Sequence, residues 1–341
     1  ARLVPNLTGS PGIGKSDIIR EVADELNLKV IDFRLSQSDP TDLNGFPTLN
    51  EDRTRSHYAP PTNIPLEGDI IPYKKVVAGE KPEQYNGWLL FFDEMNSAPL
   101  SVQAASYKII LDRLVGDTPL HKSVAMVCAG NLATDKAIVN RQSTAMQSRL
   151  VHFNLEVDVP AWIKWARKNK IDHRIIAFIQ FREELLHKFD ANHDDNTFPC
   201  PRTWHFASNL VKGMSIISID DLPLLIGTVG EGAAREVFAF VEIYAALPTF
   251  DMMVNNPKGI KIPVDADGIV EDPGIIYAMT ALIGSKADDK TMTPLMELIE
   301  RFPLEFQVIT LQNAIAKDVK LKALPVVRAW MAANASELID E

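Results

Sequence analysis

Cysteine is nearly absent from this chain: its 341 residues include only two, Cys128 and Cys200. Two thiols cannot build a disulfide framework, so a reducing compartment is expected. Any apolar run of the ~18 residues needed to cross a bilayer is also missing, which predicts no membrane-spanning helix. The opening segment ARLVPNLTGS lacks the long apolar core of a signal peptide. It has no initial Met, and a glycine-rich motif follows almost at once. The expectation is therefore a cytoplasmic protein whose numbered chain lacks a few upstream residues. Positive charge is not in excess either, since 35 Lys and Arg face 45 Asp and Glu, a net charge of −10. Such a chain has no global field to attract phosphate backbones, which argues against indiscriminate nucleic-acid binding. No internal repeat or low-complexity tract is found. The remaining composition, 46% hydrophobic and 23% charged, is that of a globular protein with a sizeable core. At ~100–200 residues per domain, two or three domains are expected.

Short apolar runs at 3–8, 29–35, 88–93, 124–130 and 150–157 alternate with helical patterns. That alternation predicts an α/β fold, a parallel five-stranded sheet flanked by helices. A helix is expected over 16–26, where Ile18, Val22 and Leu26 recur every four residues, with Ile19 and Ala23 beside them. Residues 36–87 are rich in Pro and read as a long irregular stretch of the functional kind, with a hairpin around Asn50 to Arg53. After Val159 the pattern turns helical, over 160–168, 173–189, 203–214 and 222–247. Residues 248–274 read as a linker and 275–334 as further helices broken at Pro294, Pro303 and Pro325. The expected domains are a large α/β domain at 1–158, a helical lid at 159–247, and a linker with a C-terminal helical region at 248–341.

Chemistry concentrates in three places. The segment Gly9, Ser10, Pro11, Gly12, Ile13, Gly14, Lys15, Ser16 fits G-x-x-x-x-G-K-[ST]. Its glycines let backbone N–H groups wrap phosphates, and the following helix N-terminus adds positive potential. Lys15 would reach the β- and γ-phosphates of ATP, and Ser16 would ligate Mg²⁺. The apolar run before the loop and the helix after it supply the right context. Pro5, in the preceding run, removes a ladder donor and is tolerable only near a strand's start. The second place is Trp88-Leu-Leu-Phe-Phe-Asp93-Glu94, an apolar run dense enough for a strand buried on both faces. It delivers Asp93, expected to hold Mg²⁺ through water, and Glu94, expected to activate the attacking water. The third is Ser123 to Asn131, another buried strand, whose terminal Asn131 could touch the γ-phosphate or that water.

In order and content these motifs resemble the AAA+ ATPases, and within them the MoxR-like branch related to the dynein and midasin group. The carriers are GSPGIGKS at 9–16, LLFFDEMNSAPLSVQ at 89–103 and AMVCAGN at 125–131, and the resemblance spans residues 1–245. It implies a P-loop NTPase sheet followed by an α-helical lid, with Mg-ATP held between the two. It makes Asn131 the sensor 1 residue. Arg149, ending Ser143-Thr-Ala-Met-Gln-Ser-Arg149, becomes the arginine finger that acts on a neighbouring subunit's nucleotide, and Arg202 the sensor 2 arginine. Arg141 is the rival finger. The resemblance also implies a homo-oligomeric ring, a hexamer, and a protein partner carrying a von Willebrand factor A domain. Phe46, between Gly45 and Pro47, stands where the family places substrate contacts, although an anchoring role inside its loop is the preferred reading.

Other matches fail on context. Asn169-Lys170-Ile171-Asp172 and Asp42-Leu-Asn-Gly45 imitate guanine-reading motifs, but neither closes an apolar strand. His187, His193, Asp194 and Asp195 lack metal-ligand spacing, and Asp265-Ala-Asp267-Gly268 lacks the remaining ligands of a calcium loop. The functional expectation is ATP hydrolysis coupled to remodelling of a protein. Its rivals are a nucleic-acid motor or loader on the same fold, a small-molecule phosphotransferase, and a slow nucleotide-gated scaffold.

Overall fold

The five apolar runs form a single parallel sheet in the computed structural model, which describes residues 3–74, 82–132, 140, 143–192, 195–265 and 269–334. The chain divides into two units near residue 156, with 190–192 counted in the first. The first unit runs β1 (Val4–Thr8), α1 (Lys15–Glu25), β2 (Leu28–Arg34), α2 (Pro40–Asn44), β3 (Phe46–Leu49), β4 (Ser56–Ala59) and β5 (Gly87–Asp93). It continues with α3 (Leu100–Asp112), β6 (Leu114–Val115), β7 (Thr118–Pro119), β8 (Val124–Gly130), α4 (Thr144–Gln147) and β9 (Leu150–Asn154). The sheet order is β2-β5-β8-β1-β9, all parallel, so the first unit has the expected α/β fold, a parallel five-stranded sheet flanked by helices. Pro5, the second residue of β1, lies opposite Val151 of β9, and the β1–β8 ladder begins one residue later at Asn6.

Strand β5 explains why the sheet is stable. Its side chains alternate in direction, and both directions are buried. Leu89 and Phe91 pack with Ile19 and Ala23 of α1, while Trp88, Leu90 and Phe92 pack with Val102 and Ile109 of α3. Each large apolar side chain buried this way stabilises the fold by about 1.5–3 kcal/mol. On α1 the buried stripe is Lys15, Ile19 and Ala23, whereas Ile18, Val22 and Leu26 are exposed. The four-residue repeat of larger side chains therefore marks the outer face of this helix. Two antiparallel hairpins sit beside the sheet, β3–β4 and β6–β7. The first is the hairpin expected around Asn50 to Arg53. Phe46 is 69% exposed on it, so the anchoring reading of that residue is wrong.

The second unit is helical. It contains α5 (Val159–Lys168), α6 (His173–Phe181), α7 (Pro201–Val211), α8 (Leu222–Val229), α9 (Glu231–Ala246), α10 (Phe250–Asn255), α11 (Pro273–Lys286), α12 (Met292–Ile299), α13 (Leu304–Lys317) and α14 (Pro325–Ala333). Prolines 160, 201, 223, 273 and 325 occupy first-turn positions, where a missing N–H costs nothing. Pro294 likewise lies in the first turn of α12 and opens that helix, where a break was expected. The expected helix over 173–189 stops at Phe181, and the one over 222–247 is split by Gly230 at φ 82. The expected linker holds α10, whose Met253 is fully buried, and a bridge between Val264 and Val270.

The guanine-like Asp172 has a structural job. It caps α6 by accepting from the Arg174 N–H, and its carboxylate accepts two hydrogen bonds of 2.9 Å from the Arg174 guanidinium. Both side chains are buried. Burial raises the Asp172 carboxyl, but Arg174 outweighs it, and the net shift is below the ordinary value.

Candidate active site

Because β5, β8 and β1 are neighbours in one parallel sheet, their C-terminal ends share an edge. At that edge the three sequence motifs meet. Gly9 to Gly14 leave β1 and wrap into α1, with Gly14 as the helix N-cap at φ 94, a conformation that a side chain disfavours. The N-terminus of α1 opens directly from the loop, and a helix N-terminus favours phosphate through its backbone N–H groups.

Lys15 is buried, and its ammonium donates to the Gly9 carbonyl at 2.7 Å, the Ser10 carbonyl at 2.9 Å and Asn131 Oδ1 at 3.1 Å. Thus Asn131, just past β8, is joined directly to the loop lysine. The Ser16 hydroxyl donates to Asp93 Oδ2 at 2.9 Å. A hydroxyl and a carboxylate in contact beside a phosphate-type loop are hard oxygen donors. They suit Mg²⁺, which keeps several waters and takes few protein ligands. Among the described residues no cluster of three or more His, Cys, Asp or Glu suited to a metal is found.

Glu94 follows Asp93 with positive φ, 55°, unusual for a residue with a side chain. Its N–H donates to Asp93 Oδ1 at 2.9 Å. The Glu94 carboxylate accepts a hydrogen bond from Ser36, in the turn after β2. Strand β2 pairs with β5 so that Arg34 lies opposite Asp93, which brings Ser36 to Glu94.

Arg149 is placed elsewhere. It immediately precedes β9, is exposed, and donates to the Ala145 carbonyl at 2.9 Å. Leu150 lies opposite Val4 in parallel register, so Arg149 stands at the edge of the sheet opposite the phosphate loop. The five residues of β1 span four steps, about 13 Å, between the two edges. Arg202 belongs to the second unit, exposed in the first turn of α7. Arg141 lies outside the described residues.

Sequence reasoning missed two side chains, Ser36 and Asn96. Asn96 is buried two positions after Glu94, accepts from the Asn131 N–H and donates to the Asn131 carbonyl. Its signal was present, an amide directly behind the two acids, but its partner is backbone and leaves no trace in sequence.

No family model and no curated protein matches this chain. Solved structures that resemble it include NtrX from Brucella abortus, at 14% identity over 95% of this chain and 61% of that one, TM-score 0.33. A candidate ATPase from Cytophaga hutchinsonii matches at 13% identity over 91% and 74%, TM-score 0.32. A RuvB mutant from Thermotoga maritima matches at 15% identity over 82% and 81%, TM-score 0.37. This chain spans less than two thirds of the NtrX chain. Likenesses this distant say nothing of substrate or partner. Among the described residues no helix is long and apolar enough to cross a membrane.

Proposed function

We propose that this chain is a Mg-ATP-dependent ATPase of the AAA+ type, of the MoxR-like branch, working as a homo-oligomeric ring that remodels a protein partner. The observation that supports it most is the joining of Ser16 to Asp93 and of Lys15 to Asn131 at one sheet edge. Bound Mg²⁺ would neutralise charge on the transferring phosphoryl. Lys15 exchanges its loop carbonyls for β- and γ-phosphate oxygens, and the α1 N-terminus binds the phosphates through backbone N–H groups. Ser16 would ligate the metal through its hydroxyl oxygen, and Asp93 would hold it through water. Glu94, released from Ser36, takes the proton of the attacking water, and Asn131 orients that water or the γ-phosphate.

Arg149 carries the ring. Standing at the edge opposite its own phosphate loop, it is suited to a neighbour's nucleotide, where a guanidinium stabilises charge that develops during transfer. The Arg202 role, the hexameric count, the protein partner with a von Willebrand factor A domain and a cytoplasmic setting rest on the family resemblance. The division into lid at 159–247 and C-terminal region at 248–341 rests there too.

Mixing tests the ring. Arg149→Ala keeps its phosphate loop and Lys15→Ala keeps its finger. Each alone should lose turnover, on the order of 10³-fold for the finger. Mixed rings should regain part of it, because one subunit lends its arginine to the other's ATP. Mixed assemblies with no regained activity would exclude Arg149 as a finger in trans.

A further inference from the structure

We infer that Asn96 is a positioning residue of the hydrolytic site: it grips the backbone of Asn131 and thereby aims the Asn131 carboxamide. The inference deepens the ATPase reading and rests on it.

The argument begins where the sheet runs out. The β5–β8 ladder ends at the Phe92–Cys128 pair, and the β8–β1 ladder ends at Thr8–Gly130. Asn131 is the next residue, and no neighbouring strand holds it. Left alone, its peptide groups would be free to turn, and its side chain with them. The Asn96 carboxamide takes the place of a strand peptide. Its Oδ1 accepts from the Asn131 N–H at 3.1 Å and its Nδ2 donates to the Asn131 carbonyl at 2.7 Å. One planar amide therefore fixes both backbone polar groups of the residue whose Oδ1 meets Lys15 at 3.1 Å.

Two further features show that the fit is built in. Asn96 is only 9% exposed, so its amide is committed to these partners and not to solvent. Gly130 makes room for it: a Cβ there would lie 2.5 Å from Asn96 Oδ1. The turn that carries Asn96 is also tied on its far side. Asn140 donates its N–H to the Asn96 carbonyl at 2.6 Å and its side-chain amide to the Ala98 carbonyl at 2.8 Å. This turn begins at Glu94, so the proposed base and the grip on Asn131 move as one piece of backbone.

The test compares Asn96→Ala, Asn131→Ala, the double variant and Gly130→Ala. It measures kcat and KM for Mg-ATP, affinity for a fluorescent ATP analogue, and melting temperature. Asn96→Ala should lower kcat about ten- to a hundredfold, the usual cost of a small misplacement, with KM and analogue affinity unchanged. The double variant should be no slower than Asn131→Ala alone, because both changes disable one device. Gly130→Ala keeps every polar group yet displaces the Asn96 amide, so it should reproduce the kcat loss. Asn96→Asp keeps the acceptor but sets a buried carboxylate oxygen against the Asn131 carbonyl, so it should be at least as slow as Asn96→Ala. If Asn96→Ala does not fold, these last two variants decide by the same criteria.

Wild-type kcat in Asn96→Ala and Gly130→Ala, with Asn131→Ala slow, would overturn the positioning role while leaving the ATPase reading intact. Losses that multiply in the double variant would overturn it as well. Wild-type turnover in Asn131→Ala would instead remove the sensor reading, and this inference with it.

Discussion

The Ser16 hydroxyl donates a 2.9 Å hydrogen bond to Asp93 Oδ2, joining two residues 77 positions apart in the chain. The bond is made because β1 and β5 flank β8 in one parallel sheet, and parallel strands deliver their C-terminal ends to one edge. It brings a phosphate-type loop and an acidic strand end into a single site.

Lys15 is the first residue to remove. Its ammonium is the cation aimed into the loop, and it also ties the Gly9 and Ser10 carbonyls. Lys15→Ala should weaken binding of a fluorescent ATP analogue and abolish turnover. Unchanged affinity together with unchanged turnover would remove the phosphate-loop assignment.

Ser36 should act in the opposite direction. Its hydroxyl engages the Glu94 carboxylate, which must be free to accept a proton from water. Ser36→Ala should raise basal ATP turnover without changing analogue affinity, as read by phosphate release. A fall in turnover would show that Ser36 instead orients Glu94 for reaction.

The buried pair of the helical unit gives a stability prediction. Arg174→Ala leaves the Asp172 carboxylate buried without its cation and should cost about 3–5 kcal/mol. Urea unfolding would measure it. The folded Asp172 carboxyl lies below its ordinary value of 3.8. The stabilisation is therefore complete above that value and is lost as pH falls through the lower folded value. Melting temperature should drop on acidification in this window, and Asp172→Asn should flatten that part of the profile. A wild-type profile in Asp172→Asn would contradict the assignment.

The two thiols should be silent in the native state. Cys128 and Cys200 are both buried, and burial pushes the Cys128 thiol up. A thiol-reactive dye should label neither until denaturant is added, and fast labelling of the native protein would contradict the packing of β8.

The parts of this fold that were readable from sequence are those where burial is two-sided. The run from Trp88 to Phe92 has apolar residues on both faces of one strand, so no phase had to be chosen. Helix α1 did require a phase, and the larger side chains Ile18, Val22 and Leu26 misled. The face against the sheet has room only for Ile19, Ala23 and the stem of Lys15. The split at Gly230 was hidden because apolar spacing continues through it, while the backbone there takes φ 82. In the site, charged and glycine-rich motifs were legible because phosphate and metal chemistry demand those residue types. Ser36 and Asn96 were not, since a hydroxyl or amide that serves one neighbour carries no spacing rule.

The most direct measurement is phosphate release from Mg-ATP by the wild-type chain and by Glu94→Gln, at ATP concentrations that saturate both. The account predicts that the wild-type chain hydrolyses ATP. It also predicts that Glu94→Gln binds the analogue equally well, because Lys15, Ser16 and Asp93 are untouched, yet turns over about 10²–10⁴-fold more slowly for want of the base. Equal rates in the two proteins, or no hydrolysis by an assembled wild-type chain, would contradict it.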